Sequence, residues 1–318
     1  MENLSYEEAF ELVKVEVSKT LNSSPRIINE YLSQLSKSQG KMLRASALLV
    51  CAEDEDERIK PDSVQAAAGI ELIHLASLIH DDVIDNSDLR RGQVTLQKKY
   101  GKRTAVICGD YLLSLALKTI SKVPDGKRYL DVPVSDYISR LCLGELREHI
   151  NNYNLDLTLS EYIRIISGKT AALFEASFFA GAVLCGYSQA EINRYKRIGN
   201  YAGLIFQLKD DCLDFEASAE AAKKPVQSDY EQGVITLPLL HALERLPAFK
   251  IKASEKNITR EDINRAVEES NGLDYTNEII NRYYRKAQRL LEKLEASEKK
   301  RMKLTAILNQ VSGRKAEE

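Results

Sequence analysis

The sequence has no tryptophan, only seven prolines and only fifteen glycines in 318 residues. With so few breakers, long stretches run uninterrupted, and their apolar residues recur at helical spacing rather than in alternation. This excludes a sheet-based architecture and predicts an all-α chain. The breaks are short: Ser23–Pro25, Asp54–Pro61, Val123–Gly126 and the looser Ala217–Gly233. No shift in composition separates two halves, so residues 1–318 are read as one domain. Cysteine is scarce as well. Cys51, Cys108, Cys142, Cys185 and Cys212 form no CxxC pair, which argues against a zinc or disulfide framework and for free thiols in a reducing cytoplasm. No apolar run reaches transmembrane length, since even Ile70–Ile79 is interrupted by Glu71, His74 and Ser77. The N-terminus has neither a basic start nor an apolar core, so no signal peptide is expected. Neither sign of charge dominates: net charge is −2 and the pI about 6.2, which gives no push toward nucleic acid or an anionic membrane.

What is present is one acidic pattern, twice. Asp81-Asp82-Val83-Ile84-Asp85 and Asp210-Asp211-Cys212-Leu213-Asp214 both read Asp-Asp-x-x-Asp within otherwise apolar helical stretches. Positions i, i+1 and i+4 fall on one side of a helix, so each copy turns three carboxylates the same way. Like charges so placed repel and need a counter-charge. A hard divalent cation supplies it, and Mg²⁺ commonly binds carboxylates together with substrate phosphates. The expectation is two metal-carrying walls facing a diphosphate.

A helix is predicted from Asp62, as N-cap, through the first triplet. Leu72, Leu75 and Ile79 form a stripe suited to packing. A second stripe, Ile70, Ile73, Ser77, Asp81 and Asp85, places small and apolar residues beneath the acids along about 16 Å of helix. It reads as the wall of a deep apolar pocket, with His74 close by. Arg90 and Arg91 follow at once, suited to bidentate contact with phosphate oxygens. Before the second triplet, Gly203 and Gln207 share the acidic face, and Gln207 is placed to bond a substrate or a metal-bound water. Lys41 and Arg44, three apart, are read as sharing the face of a helix start, where amides favour anions. Gly168-Lys169-Thr170 offers another cation and a hydroxyl, although Ile163 stands where a Walker A loop needs glycine. Lys223-Lys224-Pro225 and Asp229 follow the second triplet. Each cation alone reads as surface charge; as a set they match the demand of two diphosphates and several Mg²⁺ ions.

These residues resemble the trans-type isoprenyl (polyprenyl) diphosphate synthases. The motifs stand in family order: Gly40-Lys41-x-x-Arg44; His74 and His80 leading into Asp81-Asp82-x-x-Asp85; Arg90-Arg91-Gly92; Gly109-Asp110; Gly168-Lys169-Thr170-Ala171; Phe206-Gln207-x-x-Asp210-Asp211-x-x-Asp214; and Lys224-Pro225 through Thr236-Leu237-Pro238. The resemblance covers about residues 40–239, with C-terminal helices expected over 260–310. It implies a helical bundle around a central substrate cavity (the isoprenoid synthase fold), usually a homodimer. By position it implies that Asp81, Asp82, Asp85, Asp210, Asp211 and Asp214 hold Mg²⁺ on an allylic diphosphate. Arg90, Lys169, Thr170, Gln207 and Lys224 would contact that substrate, with Lys169 and Lys224 assisting catalysis. Lys41, Arg44, His74 and Arg91 would bind isopentenyl diphosphate. Met42 and Ala45 depart from the family's Gly-Lys-Arg-x-Arg-Pro, Lys223 replaces a glycine, and the charged tail after Ser297 lacks a Tyr/Arg-rich finish and is expected to fray.

Ala76 and Ser77, five and four residues before Asp81, are small and leave the pocket open. Ile73, Ile70, Phe174 and Phe178 offer a deeper floor. The expected product is longer than geranylgeranyl diphosphate, with transient membrane contact for its release. The alternatives are a geranylgeranyl or shorter-chain synthase, a class I terpene cyclase, which would not need Lys41, Arg44 and Arg91, and a subunit that depends on a partner.

Overall fold

Helix boundaries fall where the sequence supplies caps and breakers. A computed structural model describes residues 2–36, 40–123, 134–220, 229–255 and 258–314. Its helices are α1 (Tyr6–Asn22), α2 (Arg26–Ser36), α3 (Leu43–Ala52), α4 (Asp62–Ile84), α5 (Leu96–Tyr100), α6 (Lys102–Ile120), α7 (Val134–Ile150) and α8 (Leu159–Ile166). After a π-helical turn (Ser167–Ala171) come α9 (Ala172–Cys185), α10 (Gln189–Glu220), α11 (Leu237–Arg245), α12 (Pro247–Ser254), α13 (Arg260–Glu269), α14 (Gly272–Leu291) and α15 (Glu298–Ser312). Ser5 and Glu8 form a capping box at α1, and Thr95, Thr158 and Thr259 cap α5, α8 and α13 by accepting an amide of the first turn. Asp62 is the first helical residue of α4 rather than its cap, because Pro61 already holds the cap position. Strand pairing among the described residues is confined to the hairpin β1 (Leu89–Arg90) and β2 (Gln93–Val94) and one isolated bridge, Leu4 to Ile59.

The chain divides into two units. One comprises Met1–Val134, Ala176–Lys196 and Leu294–Leu304; the other comprises Ser135–Glu175, Arg197–Lys293 and Thr305–Glu318. In the first unit, α4 packs on α6, α1 and α3. Glycine lets α4 and α6 approach closely: a methyl on Gly69 would stand 2.3 Å from Ile120, and one on Gly109 would stand 2.3 Å from His80. The part of the tail that is described, up to residue 314, is ordered as α15, and residues 315–318 lie outside the described residues. Lys300 on α15 is 2% exposed, and its ammonium donates to the carbonyls of Cys51 (2.8 Å) and Glu53 (2.7 Å) and to the Tyr187 hydroxyl (2.9 Å). A buried lysine so partnered fixes the last helix.

In the second unit, α11 packs on α14 and α13. Gly144 of α7 lies against the backbone of Gly168 and Lys169, and Gly203 of α10 lies against Ala171. Side chains at either place would push α7 or α10 off the π-helical turn. Leu204, Ile205, Leu208 and Cys212 form the buried side of α10. All five cysteines are free. Among the described residues, one stretch, Leu159–Cys185, is long and apolar enough to cross a membrane, but 78% of its apolar window is buried within the protein.

Candidate active site

The first unit gathers the groups expected to handle isopentenyl diphosphate, with one correction. Met42 adopts a left-handed conformation (φ 47°), so α3 begins only at Leu43. Lys41 therefore precedes the helix and is exposed, while Arg44 is buried. They do not share a helical face as their spacing suggested. Arg44 Nη1 lies 3.2 Å from His74 Nε2. A guanidinium can only donate, so Nε2 accepts and the His74 proton sits on Nδ1. Burial, with Arg44, Arg91 and Arg90 nearby, holds the His74 pKa well below its usual value and keeps the ring neutral. Burial also lowers the Arg44 pKa to about 10, with Glu71 opposing the shift.

The first acidic triplet ends α4. Asp81 and Asp85 are half-buried, Asp82 is buried, and Asp85 is the C-cap. Arg90 Nε donates to Asp82 at 2.6 Å. The hairpin makes this possible. Arg91 (φ 52°) and Gly92 (φ 75°) form a two-residue turn with both centres left-handed, a turn that matches strand twist, and β1 returns Arg90 toward the helix end. The guanidinium of Arg91 lies over Gly40, where a methyl would stand 2.6 Å from it. A small cavity of about 50 Å³ is lined by Leu75, Leu78, Ile79, Leu96, Asp82, Arg90 and Arg91, among others. Of the stripe read from sequence as packing, Leu72 and Ile79 are buried and Leu75 is half-buried at the edge of this cavity. Ile70, Ile73 and Ala76 are buried, Ser77 is half-buried with its hydroxyl on the His74 carbonyl (2.9 Å), and Phe178 is fully buried.

The second unit builds a linear network. Thr170 Oγ1 donates to Gln207 Oε1 (2.6 Å), Gln207 Nε2 donates to Asp211 Oδ1 (2.7 Å), and the Tyr162 hydroxyl donates to the other Asp211 oxygen. Burial pushes the Asp211 pKa up to about 7. The Tyr162 and Gln207 bonds oppose this, and the charges of Asp210 and Glu148 add to it. Lys169, on the π-helical turn, bonds Glu145 (3.2 Å) and Glu148. Asp210 is exposed and Asp214 half-buried. Phe174 is fully buried, its ring 5.4 Å from that of Phe206. Lys224 lies outside the described residues.

The residues fit Mg²⁺. Among the described residues, no group of three or more stands close enough to enclose an ion by itself. Mg²⁺ does not require such a cage, because it keeps waters and binds through one or two carboxylates plus phosphates. Asp211 is buried beside two further acids, Asp210 and Glu148, whose charges add to the effect of burial in disfavouring its ionised form. Sequence reasoning missed Glu71, Glu145, Glu148 and Tyr162. Glu71 carried a signal, since it interrupts the apolar run three residues before His74. The others carried none.

The sequence profile of the polyprenyl synthetase family matches residues 25–271. Component 2 of heptaprenyl diphosphate synthase from Bacillus subtilis is 32% identical over 96% of this chain and 88% of its own length. Among solved structures, heptaprenyl diphosphate synthase from Staphylococcus aureus superposes with a TM-score of 0.87 at 30% identity, covering 98% of this chain and 99% of that one. Geranylgeranyl pyrophosphate synthase from Lactobacillus brevis gives the same score and identity over 97% of each chain. The chain has the all-α isoprenoid synthase fold. It belongs to the polyprenyl synthetase family and is a prenyltransferase.

Proposed function

We propose that this protein joins isopentenyl diphosphate head-to-tail to an allylic diphosphate such as farnesyl diphosphate, giving an all-trans product longer than geranylgeranyl diphosphate. The observation that carries the reading is the Arg44–His74 pair on the helix whose far end presents Asp81, Asp82 and Asp85. A neutral histidine beside a buried arginine orients a donor fork for phosphate oxygens, and a cyclase would not need it. Asp81, Asp82, Asp85, Asp210, Asp211 and Asp214 would hold Mg²⁺, which supplies Lewis-acid stabilisation of departing pyrophosphate. Arg90, Lys169, Thr170, Gln207 and Lys224 bind the allylic diphosphate and donate to its oxygens as charge develops there.

The allylic C1–O bond breaks and pyrophosphate leaves with the electron pair. The π electrons of isopentenyl diphosphate form the new carbon–carbon bond to C1. The resulting tertiary cation loses a C2 proton to pyrophosphate, which restores a double bond. Two chains work as a homodimer in the cytoplasm, and all 318 residues of each serve as one catalytic domain.

Product length follows from Ala76 and Ser77, too small to block a growing chain. Relatives named for heptaprenyl and for geranylgeranyl products match this fold equally, so overall shape does not set the length. The test is incubation with farnesyl diphosphate, labelled isopentenyl diphosphate and Mg²⁺, followed by sizing of the dephosphorylated products. A ladder beyond geranylgeraniol is expected, and Ala76→Tyr shortens it; unchanged length in that variant would refute the pocket assignment. A second reading is favoured by one observation, the name "component 2" of the Bacillus relative. In that reading the chain is active only with a second protein, and the purified chain alone gives no incorporation.

A further inference from the structure

The first turn of α3 lacks a cap of its own. Met42, in the cap position, is left-handed and offers no side-chain acceptor, yet the opening amides of a helix need partners. Glu71 supplies one from α4. Its Oε1 accepts the Ala45 N–H at 3.0 Å in a buried contact, and Glu71 is 6% exposed. Ala45 is the third residue of α3, the amide that an N-cap serine or aspartate would serve. A carboxylate there also complements the positive end of the helix dipole. Three residues along the same face of α4, His74 accepts from Arg44. Helix α4 therefore grips α3 twice, by the amide of Ala45 and by the guanidinium of Arg44. The charges of Arg44 and Arg91 both act on Glu71, so this acid offsets two cations that otherwise repel each other.

We propose that Glu71 is a positioning residue for the isopentenyl diphosphate site: it caps α3 across the helix pair and so aims Arg44 at the diphosphate. The inference rests on the assignment of Lys41, Arg44, His74 and Arg91 to that substrate. A guanidinium binds phosphate in a fixed plane, so a small slide of α3 lowers affinity for this substrate and leaves the allylic substrate untouched.

The experiment is steady-state kinetics of the full-length protein with each substrate varied in turn, for wild type, Glu71→Ala and Glu71→Gln. Glu71→Ala leaves the Ala45 amide without its acceptor and raises KM for isopentenyl diphosphate about tenfold, the scale of one lost buried hydrogen bond. Glu71→Gln keeps an acceptor oxygen and recovers part of that loss. KM for farnesyl diphosphate stays at the wild-type value in both. If Glu71→Ala does not fold, Glu71→Asp, which keeps the charge but withdraws it by one methylene, shows the same selective rise. A parallel rise in both KM values, or no change in either, overturns the proposal. Failure of the wild type to consume isopentenyl diphosphate overturns the functional reading instead.

Discussion

The two acidic triplets have the same sequence pattern and bury the same member, the second aspartate: Asp82 is 6% exposed and Asp211 is 4% exposed. Their partners differ. Asp82 meets a guanidinium, Arg90, whereas Asp211 meets two neutral donors, Tyr162 and Gln207. Burial raises the pKa of both carboxylates, and at Asp211 it is pushed up to about 7. A cationic partner balances a buried charge; a hydroxyl and an amide only solvate it. Asp82 therefore has a cationic hydrogen-bond partner before any metal arrives, whereas the hydrogen-bond donors Tyr162 and Gln207 at Asp211 are neutral.

The harshest way to break this comparison is to remove each acid. Asp82→Ala and Asp211→Ala should each lower kcat at least a hundredfold, the scale of losing one preorganised electrostatic contact, as read by labelled isopentenyl incorporation. Equal losses would show that both walls serve the transition state. Full activity in either variant would remove that wall from the mechanism.

Removing the partners sharpens the contrast. Arg90→Ala leaves Asp82 without its counter-charge and costs about 1–3 kcal/mol, because Arg90 is partly exposed and water replaces some of the interaction. Tyr162→Phe removes a neutral donor from a fully buried acid, at a similar cost of about 1–3 kcal/mol. Thermal unfolding with and without Mg²⁺ and inorganic pyrophosphate separates them. The Tyr162→Phe loss should shrink when ligand is added, since a cation at the proposed metal site would stabilise the same carboxylate. The Arg90→Ala loss should persist, because Arg90 is also proposed to hold the diphosphate.

The smallest effect is on pH dependence. The Asp211 pKa rises from 3.8 to about 7 on folding. Between these values the folded protein holds the proton more tightly than the unfolded chain. This group's contribution is therefore full below about pH 4 and is lost as pH rises through 7. His74 acts in the opposite sense, since its lowered pKa costs stability as pH falls below 6.5. The difference between wild type and Asp211→Asn isolates the first term. In metal-free protein the Asn variant should gain relative stability as pH is raised from 5 to 8, and parallel curves would contradict the assignment.

The sequence revealed most of this architecture because its signals are local. Helical periodicity, the two triplets, the Ser23–Pro25 break and the C-terminal helices over 260–310 depend on neighbours within a few residues. What it hid depends on distant partners or on backbone detail. Tyr162 meets Asp211 across 49 residues of sequence. Lys169 and Thr170 sit on a π-helical turn that no side-chain pattern marks, although such turns often occur at functional sites. The left-handed Met42 separates Lys41 from Arg44, and no periodicity predicts that. The charged tail looked solvated because Lys300 finds its carbonyl partners some 249 residues away.

That last contact bears on synthesis. The first unit joins Met1–Val134 with Leu294–Leu304, and Lys300 donates to the carbonyls of Cys51 and Glu53 at the close of α3, the latter also accepting from the Cys185 thiol. A ribosome delivers residues in order, at about 5–20 per second, so the Cys51 carbonyl awaits Lys300 until 249 further residues have been made. Closure over so long a sequence separation is slow. The growing chain thus carries α3, with Arg44 near its start, well before it carries the lysine that bonds its far end.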